Sequence, residues 1–223
     1  MFHIIENLLN KSDLAAVRAE AAELKFAAGD LTAGAAARNV KHNLQASDFA
    51  KTEAYKLVMR KITGHREFQA TALPSRISGL MISKYQPGMA YGRHVDNPVI
   101  DGGRIRTDIA MTLFLSEPES YDGGKLEICM GKGTDSLLSY KLAAGSIILY
   151  PAHHLHNVTE ILSGTRLAVV GWVQSLVRDP LQRQILYDLS LVRRNLHSRD
   201  GASPDLPHLE HAASNLFRMW AEN

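Results

Sequence analysis

The sequence predicts a mainly β core with flanking helices, in the α+β class. Between Ile77 and Ser175, short apolar and β-branched runs alternate with glycine-containing turns. On both sides of that stretch, apolar residues recur at helical spacing instead. The 223 residues, 45% of them hydrophobic, suit one domain with extensions. At this length folding should remove roughly 70% of the unfolded chain's surface from water.

Residues 12–28 read as the first helix, with Ser12 or Asp13 as cap, Leu14, Val17, Ala21 and Leu24 on one face, and Gly29-Asp30 as its end. Residues 31–46, small and polar around Gly34, read as a loop at a barrel rim. Ser47-Asp48 should start a second helix that runs to about Ile62, with Gly64 closing it. A short turn or helix follows at Glu67–Ala72. Candidate strands then occupy 77–85, 105–115, 125–130, 135–141, 146–150, 155–162 and 166–175. Turns fall at Gly102-Gly103, Gly123-Gly124, Gly131 to Gly133, Ala144-Gly145 and Ser163-Gly164. Many short strands with such turns argue for a sandwich or barrel, here a jelly roll with double-stranded β-helix connections. The preceding helices should cover the outer face of one sheet.

At Asp179-Pro180 a helix should begin, since Asp caps well and Pro suits the first helical position. Leu181, Ile185, Leu189, Val192 and Leu196 form its stripe. Gly201–Pro204 is a linker, and a last helix covers about 207–221 with Leu209, Leu216 and Trp220 apolar. These helices either pack on their own domain or form a homodimer interface. Three regions result: an N-terminal helical region over 1–76, a jelly-roll core over 77–177 and a helical extension over 178–223.

A net charge of +2 with mixed signs and no long basic run gives no reason to expect nucleic-acid binding. The single Cys129 excludes an internal disulfide and reads as a small buried strand residue. Met1–Glu6 shows neither the basic start nor the apolar run of a signal peptide. No apolar run reaches about 18 residues, so no transmembrane helix is expected. The expected location is the cytoplasm.

The chemistry is carried by His94-Val95-Asp96 and a distant His156. Two imidazoles and one carboxylate can occupy one face of an octahedral ion and leave the rest open, which is the facial triad of non-haem Fe(II) oxygenases. In an extended segment residues i and i+2 point to the same side, so His94 and Asp96 can converge. His-x-Asp alone is a weak signal in a chain with 10 histidines. Its surroundings strengthen it. Arg166 lies ten residues after His156, and a guanidinium suits bidentate capture of a carboxylate. Ten is even, so both side chains face one interior if the strands run regularly around Ser163-Gly164. Tyr85, at the end of a strand-like run, could be a second donor to that carboxylate. Trp172 is a pocket wall or core residue. His153 and His154 compete with His156 as the distal ligand, and strand parity does not separate His154 from His156. Arg93 and Asn97 read as solvated loop, and Asp101, Arg104, Arg106 and Asp108 as the edge of a lid.

The segment from Tyr85 through His94-Val-Asp96, with His156, Arg166 and Trp172, resembles the Fe(II)/2-oxoglutarate-dependent dioxygenases. Within them it is most similar to the prolyl-4-hydroxylase-like branch and its bacterial PKHD-type hydroxylases. Asp122-Gly-Gly-Lys-Leu126 resembles that family's glycine turn before a barrel strand, and Val40–Gln45 a polar motif of its N-terminal region. The resemblance covers most of the chain and is strongest over about 77–175. It implies Fe(II) on His94, Asp96 and His156, the distal carboxylate of 2-oxoglutarate on Arg166 supported by Tyr85, and O2 as oxidant. It further implies hydroxylation of a substrate coupled to decarboxylation of 2-oxoglutarate to succinate and CO2, with L-ascorbate as a reductant of oxidised iron.

Two other classes share features. A non-catalytic cupin-like metal- or ligand-binding module would also be a β-barrel with histidines, but would not need a buried arginine. A nucleic-acid demethylase of the AlkB type shares the iron chemistry, but carries further arginines and a basic groove. The prime substrate is not readable: a peptidyl residue, a free amino acid and a small metabolite all stay open.

Overall fold

The structure, a computed structural model, describes residues 2–32, 34, 37–46, 48–131, 136–201 and 203–222. The helix start expected at Ser47, most of the turn at Gly131 to Gly133, the first residue of the 135–141 strand and Ala202 of the linker lie outside the described residues. In chain order the strands are β1 (His3–Ile5), β2 (Ala27–Ala28), β3 (Lys41–His42), β4 (Leu44–Ala46), β5 (Pro74–Ile77), β6 (Met81–Tyr85), β7 (Ala90–His94), β8 (Val99–Ile100) and β9 (Ile105–Arg106). There follow β10 (Ile109–Phe114), β11 (Tyr121–Gly123), β12 (Leu126–Cys129), β13 (Leu137–Tyr140), β14 (Ile147–Pro151), β15 (His156–Val158), β16 (Ile161–Gly164) and β17 (Arg166–Ser175). The helices are α1 (Lys11–Glu23), α2 (Glu53–Gly64), α3 (Arg66–Ala72), α4 (Pro180–Asp200) and α5 (Leu206–Trp220).

Two antiparallel sheets face each other, as the turn-rich strand pattern predicts. The larger runs β1-β14-β10-β17-β6-β4-β2, with β5 also on β17; the smaller runs β13-β12-β15-β7-β3. Side chains alternate along β10. Ile109, Met111 and Leu113 join a core with Val58 and Ile62 of α2 and Phe68 of α3. Ala110 and Phe114 turn the other way, onto Leu126, Ile128 and Val158 of the smaller sheet. With helices on one face and a second sheet on the other, β10 and β14 are buried along their whole length. Their sequences are correspondingly near-continuous apolar runs rather than alternating ones.

Several boundaries differ from the sequence expectation. Asn10, not Ser12 or Asp13, caps α1: Asn10 Oδ1 accepts from Asp13 N at 2.9 Å and Asp13 Oδ2 from Asn10 N at 3.2 Å, a reciprocal capping box. That helix stops at Glu23 because Ala27–Ala28 is drawn into the sheet beside Gln45 and Leu44. Asp48–Lys51 is a 3-10 turn anchored by buried Phe49, and α2 starts at Glu53 with Thr52 Oγ1 accepting from Tyr55 N. The expected loop over 31–46 contains β3 and β4. The runs 77–85, 105–115 and 155–162 each break into two strands. Cys129 is partly exposed, with Sγ donating to Gly131 O.

Asp179 caps α4 as expected, accepting from Leu181 N and Gln182 N. The expected apolar stripe, however, is not the seat of the helix. Leu181 is 73% exposed, and Ile185 and Val192 are exposed too. Arg183 and Leu186 are the buried positions. Arg183 donates to the Val177 and Arg178 carbonyls, Tyr187 donates to Glu67, and Arg194 pairs with Glu67. Polar contacts thus fix the rotation of α4; Leu181, Ile185 and Val192 of the stripe face outward, while Leu189 and Leu196 are half-buried.

This sets a stability contrast. Phe68→Ala, at a fully buried position, is expected to cost about 3–5 kcal/mol in urea denaturation. Leu181→Ala should stay within about 0.5 kcal/mol of wild type. Equal losses would return Leu181 to the core.

Candidate active site

β7 and β15 are neighbours in the smaller sheet, and their register places His94 opposite His156. The two rings lie 4.1 Å apart by centroid. Asp96 follows two residues after His94, and its Oδ1 is 3.9 Å from His156 Nε2. One ligand atom from each of His94, Asp96 and His156 lies within 4.8 Å of the others. All three side chains are over nine-tenths buried.

Backbone carbonyls orient both imidazoles. His94 Nδ1 donates to Gly92 O at 2.8 Å and His156 Nδ1 to His154 O at 3.0 Å. A carbonyl only accepts, so each Nδ1 carries the proton and each Nε2 lone pair turns toward Asp96. Burial, helped by the neighbouring His156, pushes His94 down to about 3, so its ring is neutral. Tyr91 stacks on it at 3.5 Å and 12°. Burial raises the Asp96 carboxyl above its ordinary range. The Trp172 indole lies on its side and opposes that shift, yet falls short of a hydrogen bond, so Asp96 Oδ2 and Trp172 Nε1 are both buried without partners. Two lone pairs and an unsatisfied carboxylate oxygen converging in a buried place is costly. A divalent cation satisfies all three, and the donor set fits Fe(II).

The other end of the cavity lies on the larger sheet. Arg166 is 1% exposed, the largest fully buried side chain. Its guanidinium carbon sits 5.2 Å from the Tyr85 ring centre and 5.3 Å from that of Phe114. Tyr85 is its cross-strand neighbour on β6. Nε has no hydrogen-bond partner, and no carboxylate of the described residues pairs with the guanidinium. Burial raises the Tyr85 and Tyr121 phenols, so both keep their protons beside Arg166. Gly124 makes room for this packing: with φ +61°, a Cβ there would meet Ile161 at 2.4 Å, Tyr121 at 2.9 Å and the Arg166 stem at 3.1 Å.

His94, Asp96, His156, Arg166, Tyr85 and Trp172 all line one cavity of about 330 Å³. The convergence of His156 and Arg166 does not come from an even count along a regular hairpin. The chain breaks between Val158 and Ile161, and the two residues lie on different sheets that face each other. His154 is off the cavity: its ring packs 5.3 Å from Phe2 and its Nδ1 bonds Cys129 O. It lies before β15, so strand parity does not apply to it. His153 and Arg93 are exposed, and Asn97 and Asp101 line the cavity mouth. Arg106 and Asp108 form no lid edge. They make a two-point ion pair at 2.7 and 3.0 Å, and Asp108 also accepts from Ser175 N while Arg106 reaches Glu222.

The sequence showed Val40–Gln45 only as a family-like polar motif in an expected loop and did not place Lys41, Asn43 and Gln45 on the cavity wall, and it missed Tyr91 and Tyr150 there. The alternation of polar residues at 41, 43 and 45 was the available signal.

A family model described as the 2OG-Fe(II) oxygenase superfamily matches residues 80–174. The chain is 40% identical over 224 residues to a PKHD-type hydroxylase of Picosynechococcus sp., covering all of both chains. It is 43% identical to one of Hyphomonas neptunium, covering 98% of this chain and 99% of that one. A Pseudomonas putida prolyl-4-hydroxylase superposes with a TM-score of 0.53 at 18% identity, over 78% of this chain and 92% of that one. A Trichoplax adhaerens prolyl hydroxylase superposes with a TM-score of 0.59 at 17% identity, over 82% and 86%. These two likenesses concern the fold, which is the jelly roll expected from the strand pattern. Full-length identity to the hydroxylases, on top of a buried His-Asp-His cluster, makes this chain a member of the PKHD-type hydroxylases within the 2OG-Fe(II) oxygenase superfamily.

Proposed function

We propose that His94, Asp96 and His156 hold Fe(II), and that Arg166, with Tyr85, holds the distal carboxylate of 2-oxoglutarate in the same cavity. The protein is an Fe(II)- and 2-oxoglutarate-dependent dioxygenase that hydroxylates a substrate still to be identified. The observation that carries the residue assignment is a pair of complementary buried groups: a carboxylate with one unsatisfied oxygen among two imidazoles, and a guanidinium with no carboxylate of the described residues beside it. A cupin-like module needs only the first. The second calls for an anion from outside the chain.

Iron and 2-oxoglutarate bound there supply O2 activation coupled to decarboxylation to succinate and CO2. The chain supplies position. Gly92 O and His154 O keep Nε2 of each ligand histidine unprotonated and aimed inward. Arg166 offers a planar fork to the carboxylate, and Tyr85 adds an O–H donor. Trp172 walls the cavity beside Asp96, and Phe114 and Tyr121 keep water from the guanidinium. On this reading residues 77–177 carry the chemistry, 1–76 support the larger sheet and 178–223 form an appendage. L-ascorbate as reductant, a cytoplasmic location, no nucleic-acid partner and a homodimer through the C-terminal helices complete the proposal. No helix of the described residues is long and apolar enough to cross a membrane.

Binding of Mn(II), as a stand-in for Fe(II), tests the ligand set. His94→Ala, Asp96→Ala and His156→Ala should each bind it far more weakly, with the thermal unfolding of the metal-free protein retained. His154→Ala should bind it as wild type does. Loss of metal from His154→Ala with retention in His156→Ala would reassign the distal ligand.

The co-substrate end has its own test. Truncating one partner of a buried charged pair costs about 2–5 kcal/mol, so Arg166→Ala should weaken 2-oxoglutarate by roughly 30- to 5,000-fold. Metal affinity should stay unchanged, and Arg166→Lys should recover part of the loss. Equal 2-oxoglutarate affinities in wild type and both variants, by titration of the metal-loaded proteins, would restore the cupin-like module.

A further inference from the structure

The segment 41–46 crosses from one sheet to the other. β3 pairs with β7 in the smaller sheet, and β4 with β6 in the larger. Lys41, Asn43 and Gln45 alternate along it, and all three line the cavity. They are 7%, 4% and 7% exposed. The flanking pair is braced: Lys41 Nζ donates to Gln45 Oε1 at 3.2 Å, and Gln45 Nε2 to Ser83 Oγ at 3.3 Å.

Asn43, between them, differs. Neither its Oδ1 nor its Nδ2 has a hydrogen-bond partner among the described residues. A buried primary amide without partners is destabilising, unless something entering the cavity completes it. Its surroundings say which atom is on offer. Oδ1 occupies the space beside Gly29, 1.8 Å from where a Cβ would stand, and Gly29 N donates to Asn43 O at 2.7 Å. That turns Nδ2 away from Gly29. The amide also approaches the Tyr85 phenol without reaching hydrogen-bond geometry, and the strand neighbour of Tyr85 is Arg166. A carboxylate accepts about four hydrogen bonds, so a two-point contact with a guanidinium leaves lone pairs open.

We propose that Asn43 Nδ2 donates to the distal carboxylate of 2-oxoglutarate, beside Arg166 and Tyr85. This rests on the reading of the cavity given above and adds a binding residue from the N-terminal region to it. Asn43 reads the far end of the co-substrate, so it contributes to the preference for a dicarboxylate over a monocarboxylate 2-oxo acid.

The test is anaerobic calorimetric titration of the Mn(II)-loaded full chain with 2-oxoglutarate and with 2-oxopentanoate. The second ligand keeps the chain length and the chelating end but lacks the distal carboxylate. Asn43→Ala should reduce the preference for 2-oxoglutarate by about 10- to 100-fold, the range of a hydrogen bond to a charged group. Asn43→Asp keeps the shape, sets a carboxylate against a carboxylate and should reduce the preference at least as much. The preference is a ratio measured on one protein, so a partly unfolded sample does not alter it. An unchanged ratio in both variants, with or without a common loss of affinity, overturns the assignment of Asn43 and leaves that of Arg166 standing. A wild type that does not prefer 2-oxoglutarate overturns the reading of the cavity itself.

Discussion

The site is organised around a guanidinium that is buried with no carboxylate of the described residues beside it. Arg166 is held between two aromatic rings, and its stem passes a place where only glycine fits. Removing a charge from water is expensive unless its partner comes too. The aromatic faces of Tyr85 and Phe114 offset part of that cost through their attraction for a cation. They cannot supply the planar acceptor that a guanidinium matches best. On the proposed reading, that acceptor is the distal carboxylate of 2-oxoglutarate, and the larger sheet would set its orientation.

The His94, Asp96 and His156 cluster is held by the opposite sheet, and by the same device of antiparallel pairing. His94 faces His156 in register as Arg166 faces Tyr85. Each functional pair is thus fixed by a backbone ladder, and the packing of the two sheets sets the distance between the pairs. Side-chain freedom is removed locally: the Nδ1 atoms of both histidines are tied to carbonyls two residues away in sequence. A three-residue cluster formed this way needs few residues of its own.

The covering elements explain why this arrangement stays put. Helices α1 to α3 pack on the outer face of the larger sheet, so the strands carrying Arg166 and Tyr85 are buried on both sides. The ion pair of Arg106 and Asp108 holds the end of β17 through Ser175 and draws in Glu222 from the C-terminal end. Segment 41–46 closes the side between the sheets with polar rather than apolar groups. The unpartnered Asn43 amide at that depth is a cost to folding, which the proposed contact with the co-substrate would offset.

Much of this was legible in the sequence, and for a physical reason. An extended segment repeats every two residues, so His94-x-Asp96 announces two side chains that can converge, and a helix repeats every 3.6, so α1, α2 and α4 announce themselves by spacing. The caps at Asp179-Pro180 and the glycine turns are equally local. What the chain did not reveal depends on residues far apart along it. That His156 and not His154 stands opposite His94 follows from where pairing with β7 begins. The strands in 41–46 exist because two sheets are there to receive them. The outward turn of Leu181, Ile185 and Val192 on α4 follows from Glu67 and Arg183. The even step from His156 to Arg166 was a sound clue with the wrong cause, since the two meet across facing sheets. Periodicity records what neighbours along the chain do; which groups are buried, and which are left without partners, is decided only when distant segments pack.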